Sequence, residues 1–514
     1  MLLRNTFKKS LGSGLSAKRY KITKKMEYLF LGLAIALVIG FEFVNGFHDT
    51  ANAVATVIYT NSLKPTYAVV WSGIWNLLGV FTSSGAVAFA IVSLLPVELL
   101  ISQDATQSLI MVLALLTSAI IWNLGTWYLG LPISSTHSLI GSILGIGLAN
   151  SVLSTANNWW DGINWLKVQE VLISLLISPL IGFCGAALLF IIAKSLIKQE
   201  NLYIAPTEDT PPSLGIRAML ILTCTGVSFA HGSNDGQKGM GLMMLVLVIL
   251  LPSIFSLDMH TSPQTIAQLV ASSQAVIPVF RSQIQQEENA DPSVKDDQSE
   301  LINFLKPQGQ LDKNIWRSLL SESQRINQNL SRNNFVDIAE RDRTQIRTDI
   351  YLVTNTITKL EKQQKLANLD QQSLLIDYRN QLDKTINFIP YWVKITIAIA
   401  LGLGTMIGWK RVVVTVGEKI GKEPLNYAQG AIAELVTMTT IGTADYFGLP
   451  VSTTHILSSG IAGSMVANRS GVQSGTLKNL LLAWFLTLPV CILLGFGTYS
   501  ISLFAVHQQF LGLN

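Results

Sequence analysis

The chain has 514 residues, 49% of them hydrophobic and only 13% charged, with a formal net charge of +4. A soluble enzyme of ordinary composition carries about a quarter charged residues, so that class is excluded and an all-α, polytopic membrane protein is expected. No basic patch is interleaved with aromatics, which argues against nucleic acid as a partner.

Residues 1–26 form a basic tail with eight Lys and Arg and no acid before Glu27, read as an anchor, a targeting segment or a solvated extension ahead of a second start at Met26. Residues 27–193 form a first membrane repeat. Its runs Tyr28 to Val44, Ala68 to Leu95, Leu109 to Leu129 and Val168 to Ile192 mostly approach the roughly 20 residues that span hydrocarbon. The first run is expected to break at Asn45-Gly-Phe-His48-Asp49, because polar, non-helical backbone survives at that depth only inside protein or against a water-filled cavity. Ionisable groups in spans are functional candidates by default. Asn76 and Asn123 are expected to hydrogen-bond between helices. Then Leu131-Pro-Ile-Ser134-Ser135-Thr136-His137 predicts a helix start whose free N–H groups and hydroxyls converge as donors for an oxyanion.

Residues 194–217, with Pro206, Pro211 and Pro212, read as a linker. Residues 218–255 begin a second repeat, with another expected break at His231-Gly-Ser-Asn234-Asp235-Gly-Gln237-Lys238. Lys238 takes the place of Asn52 when the two aspartates are aligned, offering positive charge to an anion. Residues 256–388, rich in Gln, Asn and mixed charge, with helical apolar spacing in Ile350 to Leu366 and Leu374 to Ile389, predict a helical insert in water. Residues 389–507 complete the second repeat, with the basic loop Lys410 to Lys422 and then Leu449-Pro-Val-Ser452-Thr453-Thr454-His455. In all, about ten to twelve crossings are expected. Cys184, Cys224 and Cys491 lie in apolar runs without CxxC spacing and read as packing residues.

The motifs therefore occur twice in the same order. Asp49 and His137 are 88 positions apart, Asp235 and His455 are 220 apart, and the 132 additional residues match the insert. The loop 410–422 corresponds to residues 92–107, which carry Glu98 and Asp104 and no basic residue. The positive-inside rule then puts corresponding loops on opposite sides of the bilayer, the mark of inverted repeats. With loop 410–422 cytoplasmic, the insert falls outside; the basic tail agrees only if the segment 27–59 crosses and returns. Two carboxylates facing an anion would repel it by several kcal/mol, so Asp49 and Asp235 imply a cotransported cation or proton.

The paired Gly46-Phe-His-Asp-Thr-Ala-Asn and His231-Gly-Ser-Asn-Asp-Gly-Gln-Lys motifs, each followed by Leu-Pro-(Ile/Val)-Ser-(Ser/Thr)-Thr-His, resemble the PiT family of inorganic phosphate transporters over both membrane halves. The resemblance implies secondary transport of phosphate through a shared site, in a homodimer, in the plasma (inner) membrane. It implies phosphate binding by Ser134, Ser135, Thr136, Ser452, Thr453, Thr454, Asn52, Gln237 and Lys238. It implies ion or proton coupling through His48, Asp49, Asn234, Asp235 and Glu434, the last standing 16 positions before Pro450. Sodium-coupled members usually read Gly-Ala-Asn-Asp where this chain has Gly46-Phe47-His48-Asp49. An imidazole that titrates near neutrality, in place of an amide that can ligate sodium, favours protons. Bacterial members with this His resemble carriers of a neutral divalent metal-phosphate complex moved with a proton. No cofactor or resident metal is expected, and no catalytic activity, since a hydrolytic triad needs a water-accessible nucleophile with an oriented base. The alternatives are a sulfate permease on the same scaffold and, from another class, a sensor or scaffold acting through its insert.

Overall fold

The structure, a computed structural model, describes residues 28–49, 51–95, 105–153, 163–206, 210–285, 297–306, 308–332, 338–366 and 371–511. The basic tail, Glu98 and Asp104 and the side chain of Asn52 lie outside the described residues. All regular structure among those described is helical, with a single isolated bridge between Gly421 and Val472.

Among the described residues, six helices are long and apolar enough to cross a bilayer: Tyr28–Tyr59, Thr106–Tyr128, Ser135–Leu153, Lys167–Leu196, Leu214–Leu250 and Ser474–Val506. Two bent pairs, Pro65–Thr82 with Ala86–Val92 and Gln372–Ile386 with Tyr391–Met406, would raise this to eight only if each pair were one span, and Gln372–Ile386 packs in the core of the insert. Among the described residues the count is lower than the expected ten to twelve. Thr453–Asn468 is only 16 residues long, and Tyr427–Tyr446 carries Glu434 and Asp445. Outward faces of the crossing helices are apolar, with Leu176, Leu222, Phe485 and Leu493 each at least 70% exposed. Such a surface suits lipid and not water.

Neither expected break is seen among the described residues: residues 45–49 are helical, and so is the second motif. Leu214–Leu250 runs as one 37-residue helix through Asp235 and Lys238. Its polar side chains find partners on neighbouring helices, so the backbone ladder need not open to satisfy them. The glycines around Asp235 serve helix approach instead. A Cβ at Gly232 would collide with the carbonyl of Asn76, and one at Gly79 with the carbonyl of Phe229, so Leu214–Leu250 and Pro65–Thr82 meet backbone to backbone.

That contact has counterparts across the two halves. Gly46 and Gly404 join residues 28–49 to Tyr391–Met406, Gly145 and Gly495 join Ser135–Leu153 to Ser474–Leu511, and Gly182 and Gly463 join Trp165–Leu196 to Thr453–Asn468. In every case one helix comes from the first half and its mate from the second. The mates of the two Ser/Thr helices each carry an interior proline, Pro179 and Pro489. The two large cores of the membrane part each draw residues from both halves.

Between Leu257 and Ile386 a separate core forms from Phe280, Trp316, Ile350, Tyr378 and their neighbours. It is built by the amphipathic helices Pro263–Gln285, Asp297–Leu305, Lys313–Arg332, Glu340–Lys362 and Gln372–Ile386. All the strongly exposed large apolar residues described fall outside this segment, the reverse of the membrane part.

Candidate functional site

Each Ser/Thr motif becomes a helix start because proline ends the preceding segment and a serine caps the next helix. Ser134 Oγ accepts from the His137 N–H at 3.2 Å, and Ser452 Oγ accepts from the His455 N–H at 3.2 Å. Both serines, expected to bind phosphate, act as N-caps through their lone pairs, which leaves each O–H to donate. The two starts lie close together, the His137 and His455 rings having centroids 4.7 Å apart. Two helix N-termini, each with partial positive charge, thus approach from opposite halves.

The residues that follow the caps point at the aspartates. Ser135 Oγ donates to Asp49 Oδ2 at 2.8 Å, and Thr454 Oγ1 donates to Asp49 Oδ1 at 2.5 Å. Thr453 Oγ1 donates to Asp235 Oδ1 at 3.5 Å. Lys238 Nζ lies 2.6 Å from Asp235 Oδ2 and also donates to Thr136 Oγ1. Asp49, Asp235, Lys238, Ser135, Thr136, Thr453 and Thr454 are all buried. Residues from both halves therefore meet in one cluster.

At its centre is His231, which the motif contains but to which the sequence assigned no role. Its Nε2 lies 3.8 Å from Asp49 Oδ2 and 3.6 Å from Asp235 Oδ2. Asn76 commits its amide nitrogen to Ser72 Oγ and Thr405 Oγ1, each at 3.3 Å. Its Oδ1 is left to accept from His231 Nδ1 at 2.7 Å, which fixes the Nδ1–H tautomer. A neutral His231 then turns the lone pair of Nε2 toward two carboxylates. That contact is favourable only when a proton or a metal cation lies between them. Ligand atoms of Asp49, His231 and Asp235 come within 4.8 Å of one another, a two-oxygen, one-nitrogen set able to hold a divalent ion.

Other expected residues lie elsewhere. His48 Nε2 pairs with Thr126 Oγ1 at 3.3 Å, so the imidazole among the carboxylates is His231 and not His48. Gln237 turns to Asp445, donating to Oδ1 at 2.5 Å and accepting from the Val87 N–H at 2.9 Å, while Ser233 Oγ donates to Asp445 Oδ2 at 2.6 Å. Asn234 Nδ2 donates to the Leu449 carbonyl at 3.2 Å and ties the helix to the second Ser/Thr turn. Glu434 accepts from Thr56 and, at 2.5 Å, from Thr223. Thr223 precedes Asp235 by 12 residues of one helix, or about 18 Å, so Glu434 sits well away from the cluster. Glu42, fully buried near Lys238 with Oε2 unpartnered among the described residues, also escaped the sequence reading. Its signal was an acid inside the apolar run Tyr28 to Val44.

Residues 45–495 match the model of the phosphate transporter family. The chain is 40% identical over 489 residues to the low-affinity inorganic phosphate transporter of Buchnera aphidicola subsp. Acyrthosiphon pisum (strain APS), covering 93% of this chain and 97% of that protein. It is 39% identical over 493 residues to the low-affinity inorganic phosphate transporter PitA of Escherichia coli (strain K12), covering 92% and 97%. Among solved structures, one titled "The sodium-dependent phosphate transporter" aligns over 92% of this chain and 98% of its own, with a TM-score of 0.51 and 20% identity, a likeness of fold.

Proposed function

The chain belongs to the phosphate transporter family, and from that premise we propose that it is a proton-coupled phosphate symporter of the cell's plasma membrane that also accepts a neutral divalent metal-phosphate complex. The observation that carries this reading is the buried Asp49–His231–Asp235 cluster with Lys238 beside it.

The charge balance explains the coupling. With His231 neutral, two carboxylates and one ammonium leave a net charge of −1, which is costly in hydrocarbon. A proton on Nε2 brings the cluster to zero. A phosphate then meets Lys238, the hydroxyls of Ser135, Thr136, Thr453 and Thr454, and the two helix N-termini, while a carboxylate can accept the hydrogen of hydrogen phosphate. Sulfate has no such hydrogen to offer. A divalent cation arriving with phosphate finds the two carboxylates and the imidazole, and is cargo in this scheme. The four cross-half contacts support two repeats of opposite orientation closing around a midplane site. The dissimilar surface of the segment at 256–388 supports its lying in water.

Uptake of radiolabelled phosphate into proteoliposomes, with a proton or a sodium gradient imposed separately, tests the proposal. Uptake should follow the proton gradient, be lost in Asp49→Asn and Asp235→Asn, and survive excess sulfate. In His231→Gln it should no longer respond to the proton gradient. A sodium-driven parent, or a His231→Gln variant with parental proton dependence, sinks it.

A further inference from the structure

A cavity of about 450 Å³ lies where the helical insert meets the membrane part, well within the range of small-ligand sites. One wall is apolar and includes Phe89, Met244 and Val248. It comes from Ala86–Val92 and Leu214–Leu250, the two helices that are also joined by the Gln237 hydrogen bond. The opposite wall is polar and comes from the insert, with Arg347 and Thr348 on Glu340–Lys362 and Asp383 near the end of Gln372–Ile386.

Arg347 has no carboxylate partner among the described residues. Its Nη1 donates to the Ile386 carbonyl at 3.0 Å and the Ser256 carbonyl at 3.3 Å, where it caps a helix C-terminus. Nε and Nη2 make no hydrogen bond to a described residue. Arg347 is half-buried, and the partial loss of its hydration lowers this guanidinium to about 10, as expected of a cation that gives up water without gaining an anion. The other charged group of the lining is Asp383. It accepts from Asn387 Nδ2 at 3.4 Å, and burial pushes its carboxyl up to about 6. A planar guanidinium with donors to spare matches an oxyanion edge.

We propose that this cavity is a second oxyanion site, a vestibule in which Arg347 receives inorganic phosphate outside the central cluster. The proposal rests on the phosphate reading above. The cavity wall shares Leu214–Leu250, the helix of His231, Asp235 and Lys238, with the central site.

Equilibrium binding of radiolabelled inorganic phosphate to the purified full-length chain at neutral pH provides the test. The parent should bind a second phosphate per chain, and Arg347→Gln should lose it. Arg347→Lys should keep it with affinity about tenfold weaker, and Asp383→Asn should tighten it. Thr348→Phe, which fills the cavity and leaves the helix cap in place, should also lose the second phosphate, which separates binding from a folding defect at Arg347. A parent that binds a single phosphate, or an unchanged second site in both Arg347→Gln and Thr348→Phe, overturns the proposal while leaving central transport standing. A parent with neither bound phosphate nor uptake removes the central reading and this one together.

Discussion

The Ser134 and Ser135 hydroxyls are neighbours in sequence and do different things. Ser134 caps a helix through the His137 N–H, whereas Ser135 donates to Asp49. Ser134→Ala should therefore cost about 1 kcal/mol of stability with little change in the phosphate KM. Ser135→Ala should leave the melting temperature nearly intact and reduce uptake several-fold. Thermal unfolding in detergent and initial uptake rates on the same preparations check the pair, and an exchange of the two phenotypes would refute the assignment. The sequence marked the Ser/Thr runs as donors, and the preceding prolines marked the helix starts. Which hydroxyl caps and which binds depends on the direction each faces around the first turn. The histidines show the same limit. His48 and His231 are both buried beside a motif aspartate, and only the position of Asn76, on a helix more than 150 residues away in sequence from His231, decides which imidazole stands between carboxylates.

At the scale of helices, the expected discontinuity around Asp235 shows where local reading fails. Glycines flanking polar residues in an apolar run fit both a broken helix and a close helix contact. The choice is made by the partner surface, here the backbone of Pro65–Thr82 against Gly232. Gly232→Val should consequently push these helices apart and displace His231 from Asn76, abolishing uptake and lowering the yield of monodisperse protein. Gly215→Val, where a Cβ meets nothing within 4 Å, should do neither; size-exclusion profiles compare the two. In the insert, Lys313–Arg332 carries Glu322 beside Arg325, whose guanidinium is already held by Asp349 through Nε–Oδ2 and Nη2–Oδ1 contacts of 2.8 Å. Burial first, and the Asp349 carboxylate next, push the Glu322 carboxyl up to about 8 from 4.5. A value raised on folding means that the folded state binds the extra proton. The associated stability is full below about pH 4.5 and is lost as pH rises through about 8. Hydrogen exchange in Lys313–Arg332 should accordingly quicken across that window beyond the intrinsic rate increase. Glu322→Gln should remove the excess, and a parental profile in that variant would rule the mechanism out.

Across the whole molecule, the four glycine seams pair helices of one half with helices of the other, and the central cluster adds crossings of its own, Thr454 to Asp49 and Lys238 to Thr136, to the contacts Ser135–Asp49 and Thr453–Asp235 made within each half. The duplication was legible because the motifs recur in order. The exchange of partners was not, because a motif carries no information on which copy of a helix it will face. Its consequence is that the halves should complement each other as separate chains. Residues 1–206 and 207–514, divided within the linker, should each aggregate or be degraded when made alone, because each exposes glycine faces built for the other. Made together, they should co-purify through a tag on either piece and restore phosphate uptake. Backbone contact at four seams resists dissociation in lipid, where helices associate through packing and interhelical hydrogen bonds. The complex should therefore survive detergent exchange, and Gly145→Val or Gly463→Val in just one fragment should weaken its recovery. Independent folding of either half, judged by a monodisperse peak and native helix content without its mate, would show that the seams are contacts between finished domains instead of the interior of one.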